Sequence, residues 1–182
     1  MPTLVKCEFS ILVLSFSMTT IAYLSIDSFN KGCLTSGCNT AESMGNGFQS
    51  EHEDQITVLA FNHGVAWENK SVHSPIQITK KIDKSSPILA QACSDGDELS
   101  CTLTFYRHAP KGGIQEPFYE ISLTGALIKS VRVDMPHVAN ASGSEMEEII
   151  SISYRDIQWK HLSATTNAYS SWLKLADVFN DN

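Results

Sequence analysis

The chain has 182 residues, 42% hydrophobic and 18% charged, with a net charge of -7 and a pI near 5.3. Length and composition exclude a disordered chain and suffice for one ordinary domain with its own core. The acidic balance argues against nucleic acid or an anionic membrane as the main partner, and no Lys/Arg run interleaved with aromatics offsets it.

Leu4 to Phe16 is apolar apart from Lys6, Cys7, Glu8, Ser10 and Ser15, a run too short to span a bilayer. A signal peptide would use Lys6 as its basic start and Phe9–Phe16 as its apolar core. Against it, Glu8 heads the apolar run and no clean small-x-small cleavage site follows. The expectation is that residues 1–17 are a non-native upstream extension, the other reading being a signal-like leader. The functional chain is then residues 18–182, a single domain starting at Met18, directly before the first strand pattern.

Ile21–Ile26 alternates with β-formers and predicts a strand. Residues 28–47 are turn-rich, with room for short strands. Gln55–Phe61 predicts one strong strand, and Asn62–Ser74 a polar loop carrying Gly64, two histidines and Trp67. A loop of that length usually serves binding or a subunit contact. Pro75–Ile82 predicts a strand with Ile76, Ile78 and Ile82 on one face. A helix over about 84–93 follows, with Asp83 or Ser85 as N-cap, Pro87 in its first turn and Ile88, Leu89 and Ala92 as its apolar stripe.

Leu99–His108 alternates, with Leu99, Cys101, Leu103 and Phe105 inward. Pro110–Gly113 is a turn, and Phe118–Val133 is a long β run that is either two strands or one bent at Gly125. Pro136–Glu145 is an irregular connection. Glu148–Trp159 predicts a final strand whose odd step from Tyr154 to Ile157 implies a bulge. The sum is a mainly β fold, barrel-like or a sandwich, of about seven to nine strands with one short α-helix.

No catalytic or metal constellation emerges. His52-Glu53-Asp54 lacks the second histidine four residues on, where Ile56 stands, and it leads into a strand. His52, His63 and His73 are too loosely spaced to specify a metal site. Gly143-Ser144 lacks the strand–turn–helix setting of a nucleophile elbow, and no glycine pair forms a phosphate cradle. A hydrolase built on His108 or His137 has the least support. Cys7, Cys33, Cys38, Cys93 and Cys101 are odd in number and lack zinc-finger spacing, so free thiols are expected. The expectation is a protein that is not an enzyme and holds no cofactor or metal.

Taken in order, residues 21–172 resemble the hemolysin-coregulated protein family, the tube subunits of bacterial type VI secretion. The likeness rests on Tyr23-Leu24-Ser25-Ile26, Gly45-Asn46-Gly47-Phe48-Gln49, His52-Glu53-Asp54-Gln55-Ile56 and Ala60-Phe61-Asn62-His63. Its most specific piece is Val72–Lys80 running into Ile82-Asp83-Lys84-Ser85-Ser86-Pro87. Phe105-Tyr106-Arg107, Phe118-Tyr119-Glu120-Ile121, Met135-Pro136, Ile152–Arg155, Ile157-Gln158-Trp159 and Trp172 complete it.

The resemblance implies a barrel-like fold with one helix that assembles with itself into hexameric rings, stacked as a hollow tube. The implied partners are a spike protein, a contractile sheath and small effectors. The implied route runs from the bacterial cytoplasm through the machine to the outside or to a target cell. The 62–74 loop is then the segment to reach a neighbouring subunit or ring, with Asn62, His63, Trp67 and His73 as the expected interface residues. Trp67 is its expected aromatic anchor, the alternative being that it folds back on its own barrel. The rival reading is a secreted monomeric β-sandwich module that binds a ligand.

Overall fold

The structure, a computed structural model, describes residues 20–109, 114–137 and 145–172. The expectations for residues 1–17, for the turn at 110–113 and for most of the 136–145 connection fall outside those residues. The first half of the chain forms β1 (Ile21–Ser28), β2 (Gly32–Cys33), α1 (Ala41–Met44), β3 (Ile56–Val58), β4 (Ala60–Asn62), β5 (Val65–Trp67), β6 (Ser71–His73) and β7 (Ile76–Lys81). The second half forms α2 (Ser86–Asp95), β8 (Leu99–His108), β9 (Gln115–Asp134), β10 (Glu147–Ser153), β11 (Asp156–His161) and β12 (Thr166–Ser171).

Ten of these strands make one antiparallel sheet in the order β2-β1-β8-β9-β10-β7-β4, with β3 on β1 and the β11–β12 pair on β9. Its hub is β9. The first half of β9 lies between β8 and β11, and its second half pairs with β10. The bend expected at Gly125 falls inside this single strand, where φ is +61°. A Cβ at Gly125 would stand 2.9 Å from that of Arg155, so conformation and crowding both demand glycine.

The bulge expected between Tyr154 and Ile157 is instead a break between two strands. β10 and β11 follow one edge of β9, and the register resumes unshifted from Ser153↔Leu127 to Asp156↔Thr124, with two residues outside the ladder on each side. The register shift itself lies earlier, between Ser151 and Ile152.

The predicted Gln55–Phe61 strand is broken at Leu59, and the break shapes the fold. β3 pairs with β1, while β4 pairs with β7 at the opposite end of the sheet. Between them the Leu59 amide donates to the Thr79 carbonyl at 2.8 Å. The sheet therefore curls round its core until one segment touches both ends. It does not close into a barrel, since the step from β3 to β4 is covalent and not a ladder.

The core is aliphatic: Leu24, Ile26, Ile56, Ile76, Ile78, Leu89, Ile150, Ile152 and Ile157 are all buried. Each such side chain contributes about 1.5–3 kcal/mol relative to exposure. α2 covers one end of this core with Leu89 and Ala92, while Ile88, predicted in the same stripe, faces outward. The helix sits two residues later than predicted. Pro87 lies in its first turn, and Gly96 ends it in the left-handed conformation (φ 69°), its amide bonded to the Ala92 carbonyl. α1 is a correction to the single-helix expectation: four residues carry no periodicity that a sequence could show.

A buried ion cluster fixes α2 to the sheet. Lys80 is fully buried on β7, and its Nζ donates to Glu148 Oε1 (2.6 Å) and Ser86 Oγ (2.9 Å), with Asp83 Oδ1 at 3.1 Å. Ser86 Oγ in turn donates to Glu148 Oε1 at 3.0 Å and accepts from the Asp83 amide at 3.0 Å. Ser85 donates to Asp83 Oδ1 through both its amide and its hydroxyl. Buried charges persist only when paired and hydrogen-bonded like this. The Lys80 and Asp83–Pro87 stretch is thus a packing motif that docks a helix N-terminus.

Candidate assembly surface

The segment expected as a polar loop is a β-hairpin. β5 and β6 pair through Val65↔His73, Ala66↔Val72 and Trp67↔Ser71, in a ladder separate from the main sheet. The turn at 68–70 closes with the Glu68 amide on the Lys70 carbonyl (2.9 Å) and Asn69 at φ 60°. Asparagine tolerates that left-handed backbone better than most residues. Val65, Trp67 and Val72 supply the β-formers, hidden in the sequence by the polar residues around them. All three are exposed, Trp67 at 72%. Trp67 stands near the outer end of the hairpin, opposite Ser71.

The base is held by a denser set of contacts. The Ser74 amide donates to the Gly64 carbonyl at 2.9 Å, joining the two legs. His63 enters the hairpin and His73 leaves it, and both reach the hydroxyl of Tyr154. His63 Nε2 lies 2.6 Å and His73 Nδ1 2.9 Å from that one oxygen. The other ring nitrogen of His73 lies 3.0 Å from Ser71 Oγ and 3.1 Å from Ser170 Oγ. Trp172 stacks on His73 (5.9 Å, 24°), and Trp159 lies 6.2 Å from the ring of His63.

Of the four residues expected at an interface, the structure brings His63 and His73 together and leaves Asn62 and Trp67 apart on the surface. Asn62 is the exposed end of β4, opposite Gln77. His63 is half-buried and His73 is buried. Burial, and secondarily the neighbouring His73, lowers the pKa of His63 below the ordinary imidazole value. Burial pushes the Tyr154 phenol well above its usual range, so it keeps its proton. The roles of Tyr154, Ser170 and Trp172 were missed in the sequence. The signal for Tyr154 was its place as the last inward residue before the alternation breaks.

Elsewhere the geometry is structural. His52 has a different set of partners from the other two histidines: it stacks on Tyr23 at 3.6 Å and its Nδ1 bonds Gln55 Oε1 at 2.6 Å. The expected solvated turn at 52–54 thus has one ring tucked in. Among the described residues no group of three or more His, Cys, Asp or Glu is placed to hold a metal. Cys33, Cys38, Cys93 and Cys101 are free, and burial pushes the thiols of Cys38 and Cys101 up to about 12. Thiols that stay protonated are poor nucleophiles. Asp95, the last residue of α2, and Asp97 just beyond it both pair with Lys31. No helix among the described residues is long and apolar enough to cross a membrane.

The family model for the type VI secretion system effector, Hcp, matches residues 23–161. The "Major exported protein" of Pseudomonas aeruginosa is 33% identical over 167 residues, covering 85% of this chain and 96% of that protein. A solved structure described as the secreted protein Hcp3 from Pseudomonas aeruginosa matches with a TM-score of 0.77 at 34% identity, over 86% of this chain and 100% of that one. A crystal structure of an Hcp protein matches with a TM-score of 0.79 at 28% identity, over 86% and 99% of the two chains. Curled sheet and capping helix define a β-rich fold of the kind seen in these solved Hcp structures. The chain belongs to the Hcp family of type VI secretion.

Proposed function

We propose that this chain is a non-enzymatic tube subunit that works by assembling with copies of itself. Six copies form a ring, and rings stack into a hollow tube that is exported with the spike from inside a contractile sheath. Small effectors can travel in the lumen. The observation that carries this reading is the hairpin: it shares no ladder with the main sheet and presents Val65, Trp67 and Val72 to solvent. Exposed aromatic and aliphatic side chains on a projecting element suit a partner surface better than they suit water. Asn62, at the foot of the hairpin, belongs to the same proposed surface, and His63 and His73 support it from beneath.

Light scattering on the purified chain, followed by electron microscopy, tests the proposal. Six-fold rings are expected, and a clean monomer at all concentrations overturns it. The rival reading, a monomeric ligand-binding module, has one observation in its favour. A cavity of about 250 Å³ is lined by Tyr119, Trp159, His161, Thr166, Asn167 and Ala168. The same mass measurement separates the two.

A further inference from the structure

We propose that the cleft where β9, β11 and β12 run on past the core binds a single neutral sugar ring. The cleft begins where the core ends. Ile121 and Ile157 are buried, and period-two alternation puts Tyr119, Trp159 and His161 on the same face of the sheet. The register sets two rows across three strands: Tyr119, His161 and Thr166, then Ile121, Trp159 and Ala168. With Asn167, the exposed members of those rows line the cavity of about 250 Å³. That is room for about eight waters, enough for one six-membered ring.

The lining offers what a pyranose needs on both its apolar and its polar sides. Tyr119 and Trp159 supply aromatic surface for the C–H face of the ring. Tyr119 is braced by Phe105 at 5.8 Å and by the His161 ring, edge to face, at 6.4 Å. The Tyr119 hydroxyl, the Trp159 indole N–H and the Thr166 hydroxyl make no hydrogen bond among the described residues. His161 adds a further donor whose position is fixed. The Ala164 amide donates to its Nδ1 at 3.0 Å, so the neutral ring carries its proton on Nε2. That N–H has no acceptor among the described residues. No carboxylate, lysine or arginine lines the cavity, and the flanking Lys160 and Glu120 pair with each other at 2.8 Å. Uncharged donors beside aromatic faces suit hydroxyls carried on an apolar ring, and give a phosphate or carboxylate no counter-charge.

Sugar binding goes beyond the tube reading and does not depend on it, since the cleft can serve a ring or a single copy. Saturation-transfer NMR reads the sugar's own protons on the full chain, and light scattering on the same sample gives its state of assembly. The probes are glucose, galactose, N-acetylglucosamine and the N-acetylglucosamine trimer, with glucuronate as the charged comparison. At least one neutral sugar should bind saturably with a Kd of about 1–10 mM, the range for one small ring at ordinary ligand efficiency. Glucuronate should bind more weakly than the best of them. Ala168→Phe fills the cavity from an exposed position and should weaken binding by about tenfold or more. Tyr119→Phe keeps the aromatic face and should weaken it by about threefold to tenfold, the scale of one hydrogen bond. A trimer bound at least as well as the monomer identifies a glycan end as the source, and a weaker one identifies free sugar; both support the site. Three results overturn it: no saturable binding up to about 50 mM, glucuronate bound as well as the neutral sugars, or an Ala168→Phe protein that binds like the parent. Rings that bind no sugar would sink the site and leave the tube reading, and a monomer that binds sugar would do the reverse.

Discussion

Two polar clusters among the described residues solve the same problem with different chemistry. Beneath α2, Lys80, Glu148 and Asp83 are paired ions bridged by the Ser86 hydroxyl. Beneath the hairpin, Tyr154 joins two imidazoles and Ser170 joins the second of them. The first cluster seats a helix over the aliphatic core, where loss of the seat would expose Leu89 and Ala92. The second holds an element that contributes no side chain to that core. Ions suit a permanent joint, because removing one leaves another stranded in low dielectric. Hydroxyl–imidazole bonds between neutral groups cost less to break.

The contrast makes a ranked set of predictions. Glu148→Ala strands the fully buried Lys80 and should cost about 3–5 kcal/mol of global stability in urea denaturation. A loss under about 1 kcal/mol, the scale of an exposed pair, would erase the distinction between the clusters. Ser86→Ala removes the hydroxyl shared by Lys80, Glu148 and the Asp83 amide, and should cost about 1–3 kcal/mol by the same measurement. Tyr154→Phe should cost about 1–2 kcal/mol globally while loosening the hairpin more than α2. Hydrogen exchange resolves the two regions. Trp67→Ala should change monomer stability by less than about 0.5 kcal/mol, as for a surface site. Its effect should appear as shorter stacks in electron microscopy, and unchanged tube length would count against Trp67 as a contact.

Most of the strands and the bend at Gly125 were legible because period-two alternation and glycine placement act locally, whereas the odd step after Tyr154 marked a break between strands and not a bulge. The single-strand reading of Gln55–Phe61 failed because partner choice is non-local: Val58 faces β1 and Ala60 faces β7. The hairpin was hidden because its β-formers alternate with nothing buried, and a strand without a core face has no hydrophobic period. Lys80 is the instructive miss. The alternation Ile76, Ile78 points residue 80 inward, and the natural reading moved on to Ile82 because lysine is seldom buried. Taken literally, the period demanded a partner, and Glu148 on the adjacent strand, directly opposite in register, supplies it. Of the proposed surface, the exposed Trp67 was visible as a large apolar residue in a polar run, whereas the joint behind it needs three distant segments at once.

The segment 56–62 carries one more consequence, for anyone who would label or extend this protein. Three residues before Leu59 belong to one end of the sheet and three after it to the other, so Leu59 works as a splice between two edges. Peptide tags and fluorophores tolerated at an exposed turn such as 162–165 should be rejected there, since inserted residues would let the two edges drift apart and unroll the sheet.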